Sequence, residues 1–339
     1  GGVGKTTTSA ALALSAARAG RRVVVLTIDP ARRLADAIGV GGELGNEPTE
    51  VPLSFDKISG GTANGGQLWA AMLDPEITFT EVITSHASTS EQADRITGNR
   101  LFANLTTSLS GTNEYMAAER LWSLYNDDRF DLVVIDTPPS RHAFDFLDGP
   151  GRLVRFVDHP LYRYVLAPQR GLLRAVNAAT QLIIRTIGRV VGAQLLDDVV
   201  EFFAAFEGLD DGFRGRAAEV DQLLQSVGTR FVLVTSPRPE PLAGAGWIIG
   251  RLEERGLSAG SLVANRMLPL ALASIDPPSD PDNPLDENLA QLASLAQLEA
   301  ELLTEFQNSN DIGKLIHIPD QPTPVSTLEG LARIADQLV

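Results

Sequence analysis

The chain opens on Gly1-Gly2-Val3-Gly4-Lys5-Thr6-Thr7-Thr8, and this octet constrains the fold more than any other feature. Gly4-Lys5-Thr6 ends the pattern G-x-x-x-x-G-K-[ST], a loop built to cradle phosphates. Glycines let backbone N–H groups turn onto phosphate oxygens without a Cβ clash, and the helix that follows adds the positive end of its dipole. In that chemistry Lys5 bridges the β- and γ-phosphates and the Thr6 hydroxyl ligates Mg²⁺. The plainer alternative is a Gly-rich turn entering a helix, and the run G-K-T-T at a helix start weighs against it. Ser9 to Arg18 continues as an Ala/Leu-rich helical stretch closed by Gly20. The first Gly of the pattern would lie two residues before Gly1, and such a loop follows a buried strand. The expectation is therefore that the first strand and the front of the loop precede Gly1.

Downstream, strand and helix patterns alternate. Arg22–Ile28 is a continuous β-branched run, as a parallel strand buried on both faces requires, and it ends at Asp29-Pro30. Leu68–Leu73 is a second candidate after the Gly/Asn/Pro-rich stretch 41–66, and Phe130–Ile135 is a third, ending in Asp136-Thr137-Pro138-Pro139. Arg230–Thr235, Ser261–Ala264 and Leu315–Ile318 complete the set. With helical patterns between them, these predict an α/β fold: a doubly wound, mostly parallel sheet of the P-loop NTPase kind with a helical insert. Asp29, Asp136, Asn265 and Pro319 all fall just past strand ends, where ligands bind in such sheets. Asp136 is the candidate carboxylate for the Mg²⁺ shell. Asp29 either caps the helix starting near Pro30 or orients the attacking water.

Composition excludes several classes. There is no cysteine in the 339 residues, which removes thiolate metal sites, a cysteine nucleophile and thiol redox chemistry. The net charge of −15 disfavours generic binding to nucleic acid, and no apolar run reaches the length of a membrane span. A soluble, cytoplasmic protein is expected. His86, His142, His159 and His317 are scattered and show no metal-ligand spacing.

Several segments together resemble the ArsA-type ATPases, a family that includes the targeting ATPase for tail-anchored membrane proteins. Gly1 to Thr7 looks like the deviant Walker A loop of that class. Thr27-Ile28-Asp29-Pro30-Ala31 with Leu34 and Asp36 resembles the first switch, and Asp136-Thr137-Pro138-Pro139-Ser140-Arg141-His142 the second. Gly111–Ala117 and Val263–Pro269 follow in family order, and Leu147-Asp148-Gly149-Pro150 looks most like actinobacterial members. The resemblance implies ATP and Mg²⁺ as ligands. Gly1, Gly2, Val3, Gly4, Lys5, Thr6 and Thr7 would lie on the phosphates, Thr6 and Asp136 would organise Mg²⁺, and Asp29 would polarise the hydrolytic water with Lys5 beside it. Asn265 and Pro319 would contact the adenine. It also implies a dimer, either of two copies or with a paralogous ATPase. The metalloid-binding cysteines of the pump subunits, and the paired zinc-binding cysteines of some targeting factors, have no counterpart here. A thiolate-triggered arsenite pump is thereby excluded for these residues.

Residues 1–150 and 226–339 are read as the ATPase core and 151–225 as the insert. Residues 151–195 carry seven arginines (152, 155, 163, 170, 174, 185 and 189) against one acid, Asp158, a local charge of +6 within the net −15. At helical spacing Arg170, Arg174, Arg185 and Arg189 share one stripe, opposite Leu172, Leu173, Val176, Ile183, Ile184, Ile187, Val190 and Val191. Such a helix either docks on the sheet or forms a wall holding an apolar client or touching an anionic membrane, which would make the protein peripheral to it. The expected activity is ATP hydrolysis in a dimeric switch that moves this insert. The alternatives are the catalytic subunit of an anion transporter and a MinD/ParA-type positioning ATPase. His142, in the second switch, is the histidine placed to sense loss of the γ-phosphate. The three phenylalanines of residues 201–207 are read as core.

Overall fold

The computed structural model describes residues 2–29, 33–40, 44–53, 66–100, 102, 112–138, 147, 201–202, 204–206, 208–275, 283–323 and 325–338. The arginine-rich stretch 151–195, the second-switch residues 139–142 and Gly1 lie outside them. The chain divides into two compact units. The first comprises Gly1–Met72, Leu124–Phe144 and Gln225–Val339, and the second Leu73–Ser123 and Asp145–Leu224. The second unit thus takes in a wider stretch than the 151–225 insert expected from sequence.

In the first unit, helix α1 (Lys5–Arg18) runs into strand β1 (Arg22–Thr27). Then come α2 (Arg33–Ile38), β2 (Thr49–Val51) and β3 (Gln67–Met72). Strand β1 is buried from Val23 to Thr27, as its β-branched composition demands. It lies at the centre of a four-stranded sheet of order β2-β3-β1-β4, where β4 is Leu132–Asp136. β1 pairs in parallel with both neighbours, and its register sets Thr27 opposite Asp136. Strand β2 is antiparallel to β3 and sits in the Gly/Asn/Pro-rich stretch where no strand is legible from composition. Three residues are too few to show an alternating pattern.

A second, three-stranded parallel sheet has the order β5-β6-β7, with β5 at Phe231–Thr235, β6 at Ala259–Met267 and β7 at Ile312–Pro319. Strands β6 and β7 are longer than the segments that announce them, because ladder pairing carries through polar residues such as Asn265 and Lys314. One apolar cluster joins both sheets: Val23, Val25, Leu68 and Val134 meet Val263 and Ile318. It also takes in the face Ala10, Ala11, Ala13, Leu14 and Ala17 of α1, where small side chains let the helix lie close.

The second unit is helical among its described residues. It contains α3 (Pro75–His86), α4 (Ser90–Thr97), most of α5 (Thr112–Tyr125) and α6 (Asp210–Gln225). Its core is aromatic. Phe79 stacks on Phe102 at 4.9 Å and Phe206 on Phe213 at 5.4 Å, with Phe202 packed on Phe206 at 5.2 Å. Phe202 and Phe206 are buried, as read from sequence. His86 stacks on Phe213, with ring centroids 5.6 Å apart.

Helices α7 (Pro239–Glu253), α8 (Pro284–Ser309) and α9 (Leu328–Ala335) belong to the first unit. No helix among the described residues is long and apolar enough to cross a membrane.

Candidate functional site

Asp29, Asp136 and Asn265 stand at the carboxyl ends of β1, β4 and β6, with Lys5 close enough to Asp29 and Asp136 to feel both charges. Gly2 and Gly4 have φ of +96° and +90°, the left-handed region that L side chains rarely adopt. Gly4 is also the N-cap of α1, and it offers no side chain to the first N–H groups of the helix. By contrast, Asp74 caps α3, Asn283 caps α8 and Thr327 caps α9 through side-chain oxygens. The first turn of α1, which holds Lys5, Thr6 and Thr7, therefore presents N–H groups that an anion can occupy. The Gly4 carbonyl accepts from both the N–H and the hydroxyl of Thr8, each at 2.9 Å, so the turn is tied down from behind.

Asp136 closes β4 and is 1% exposed. Its Oδ2 accepts a hydrogen bond from the Thr27 hydroxyl at 3.1 Å, a consequence of the register between β1 and β4. Its Oδ1 is buried and has no hydrogen-bond partner. Burial pushes the Asp136 carboxyl above the usual carboxylate range. The hydroxyls of Thr6 and Thr27 and the Lys5 ammonium pull it back, and the charge of Asp29 adds to the rise. Lys5 is held below the usual lysine value by desolvation, although Asp136 and Asp29 both favour its charged form. A buried carboxylate oxygen without a partner is costly in a folded protein. The Thr6 hydroxyl and the Lys5 ammonium both act on this carboxyl, so a carboxylate and a hydroxyl able to ligate Mg²⁺ stand with a cation able to neutralise phosphate, and the residues present fit both Mg²⁺ and nucleotide.

Asp29 follows β1. Its N–H donates to the Thr27 hydroxyl oxygen at 3.3 Å, and its carboxylate lies 3.8 Å from the exposed Arg33 guanidinium. The end of β1 is further sewn to β4 by the Ile28 N–H donating to the Asp136 carbonyl at 3.0 Å. From the other sheet, Asn265 donates through Nδ2 to the Val3 carbonyl at 2.8 Å, which brings β6 against the loop. Pro319 ends β7, level with Met267, and its carbonyl accepts from Gln321 at 2.9 Å. Among the described residues it makes no hydrogen bond to the loop. Gly1 and His142 lie outside those residues. Thr8, Thr27 and Arg33 lie within the motifs read from sequence, but no role was assigned to them there. The one available signal was the Thr ending β1, a polar residue at the end of an apolar run.

The amino-acid sequence matches the family described as anion-transporting ATPase over residues 1–339. Among curated relatives, "ATPase get3" of Schizosaccharomyces pombe is 25% identical over 344 residues, covering 100% of this chain and 88% of the relative. An uncharacterized protein of Streptomyces coelicolor, SCO2128, is 28% identical over 333 residues, covering 98% and 73%. "ATPase ASNA1 homolog 1" of Paramecium tetraurelia is 30% identical over 152 residues, covering 44% and 41%. With its phosphate-loop geometry, its acidic strand ends and a family match along its whole length, this chain belongs to the ArsA-type family of anion-transporting ATPases and is an ATPase.

Proposed function

We propose that the protein is a Mg²⁺-dependent ATP-hydrolysing switch that works as a dimer and passes the state of its nucleotide to the segment 151–225. The observation that carries the hydrolytic part is the unpartnered buried Oδ1 of Asp136 beside Thr6 and Lys5. In this reading the N–H groups of the loop and the first turn of α1 bind the phosphate oxygens, and Lys5 neutralises charge developing on the transferred phosphoryl group. Asp29, at the end of β1, orients the attacking water and accepts its proton. Asp136 and the Thr6 hydroxyl would hold Mg²⁺, which when bound neutralises charge on the β- and γ-phosphates. Asn265 and Pro319 would meet the adenine, and Gly1 would lie on the phosphates with the rest of the loop.

The client side of the proposal rests on the +6 charge and the two-faced arginine and apolar pattern of residues 151–195. That pattern suits an apolar client or an anionic membrane surface. It also rests on the likeness of both switch segments to family members that target membrane proteins. The family description favours a second reading, the catalytic subunit of an anion transporter. In these residues such a transporter would have to work without thiol ligands.

Light scattering in ATP and in ADP, run with wild type and with a deletion of residues 170–191, separates these readings. The switch predicts ATP-dependent closure of a dimer, with nucleotide binding retained and capture of an apolar peptide lost in the deletion. No change of state between nucleotides would overturn it. Stimulation of hydrolysis by a small anion, with no peptide capture, would favour the transporter subunit.

A further inference from the structure

Arg266 is the only non-glycine residue with positive φ among the described residues, at +60°. That conformation is costly for an L-residue and persists only where the surroundings impose it. It falls where the pairing of β6 with β7 shifts register, between Asn265 and Met267. The resulting turn brings the Arg266 N–H onto the Asn265 Oδ1 at 2.9 Å. With its oxygen held by a donor, the amide can present only its nitrogen on the other side, and Nδ2 donates to the Val3 carbonyl at 2.8 Å. Asn265 is 8% exposed, so water competes poorly for this bond. The fit is close: a Cβ on Gly4 would lie 2.2 Å from Nδ2.

In a trans peptide the C=O and the N–H point in opposite directions. Holding the Val3 carbonyl therefore also fixes the direction of the Gly4 N–H. Glycine accepts either sign of φ, so this peptide has little intrinsic resistance to flipping. A flipped peptide would turn a carbonyl oxygen to the side its N–H now faces, which repels an anion. We propose that Asn265, aimed by the strained turn at Arg266, is a positioning residue that keeps the phosphate loop in its anion-binding form. This rests on the reading of the loop as the phosphate site. It is separate from contact with adenine, because the amide still has one N–H and one lone pair to offer the N7 and amino group of the base.

The test is calorimetric titration of inorganic tripolyphosphate, which has no base, and of ATP, both with Mg²⁺. The proteins are wild type, Asn265→Ala, Arg266→Gly and Arg266→Val, each checked by thermal unfolding. The expected result is that Asn265→Ala weakens tripolyphosphate about tenfold, the scale of one buried hydrogen bond, with the unfolding midpoint little changed. Arg266→Gly, which accepts positive φ, should bind within about twofold of wild type, whereas β-branched Arg266→Val should bind weakly. Loss of ATP affinity with tripolyphosphate unaffected in Asn265→Ala would overturn the proposal and leave Asn265 a base contact alone. If Asn265→Ala does not fold, equal binding by Arg266→Gly and Arg266→Val would overturn it. Wild type binding neither ligand would instead overturn the nucleotide-site reading itself.

Discussion

Each of the two units buries a carboxylate, and the two are treated in opposite ways. In the helical unit Glu119 is 3% exposed, and both of its oxygens are used. Tyr115 donates its hydroxyl to Oε1, and Arg216 donates to Oε2 at 3.1 Å while lying over the Trp122 ring at 3.2 Å. In the nucleotide unit Asp136 is equally buried, yet one oxygen has no partner. Burial raises both carboxyls above the usual range, so desolvation does not distinguish them. Satisfaction does. A complete network specifies packing, whereas an incomplete one is an unmet cost that a ligand can relieve.

The widest separation between them is in activity. Asp136→Asn should lower ATP turnover by about a hundredfold or more, the scale on which loss of a charged group at a phosphoryl-transfer site acts. Glu119→Gln, in a folded protein, should leave turnover near wild type. Comparable losses in steady-state assays of both variants would erase the distinction. Next comes stability. Glu119→Ala removes the buried acceptor of both Tyr115 and Arg216, leaving Arg216 with Glu219 at 3.6 Å and the Trp122 ring, and should cost about 2 kcal/mol in denaturant unfolding. Asp136→Asn should move the other way, stabilising the ligand-free protein by about 1 kcal/mol, because it removes a buried charge that is only half-partnered. A destabilised Asp136→Asn would mean that the oxygen is satisfied in the resting protein.

The smallest effect is on pH dependence. Asp136 has a raised pKa when folded, so above the ordinary value of 3.8 the folded protein retains a proton that the unfolded chain gives up. Stability from this group is present below that value and is lost as pH rises through the folded pKa. Asp136→Asn should flatten that part of the stability curve. Mg²⁺ with nucleotide should do the same in wild type, since it favours the ionised carboxylate.

The same contrast explains what could be read in advance. The glycines of the loop, Lys5 and Thr6, and the β-branched run of β1 are local signals, because left-handed backbone and two-faced burial dictate residue type directly. The carboxylates at strand ends were legible for the same reason. The Thr27–Asp136 bond was not, since it depends on a register between strands 109 residues apart. Nor was the Asn265–Val3 bond, across 262 residues, or the turn at Arg266, where arginine gives no hint of positive φ. The Glu119–Arg216 pair, 97 residues apart, reads from sequence as two ordinary helix-surface charges.

The most direct test of the account is steady-state ATP hydrolysis by wild type and Asp29→Asn, measured side by side with Mg²⁺ and with EDTA. The account predicts Mg²⁺-dependent turnover in wild type and a loss of about a hundredfold or more in Asp29→Asn, with nucleotide still bound. Turnover that persists in EDTA, or an Asp29→Asn variant as active as wild type, would contradict it.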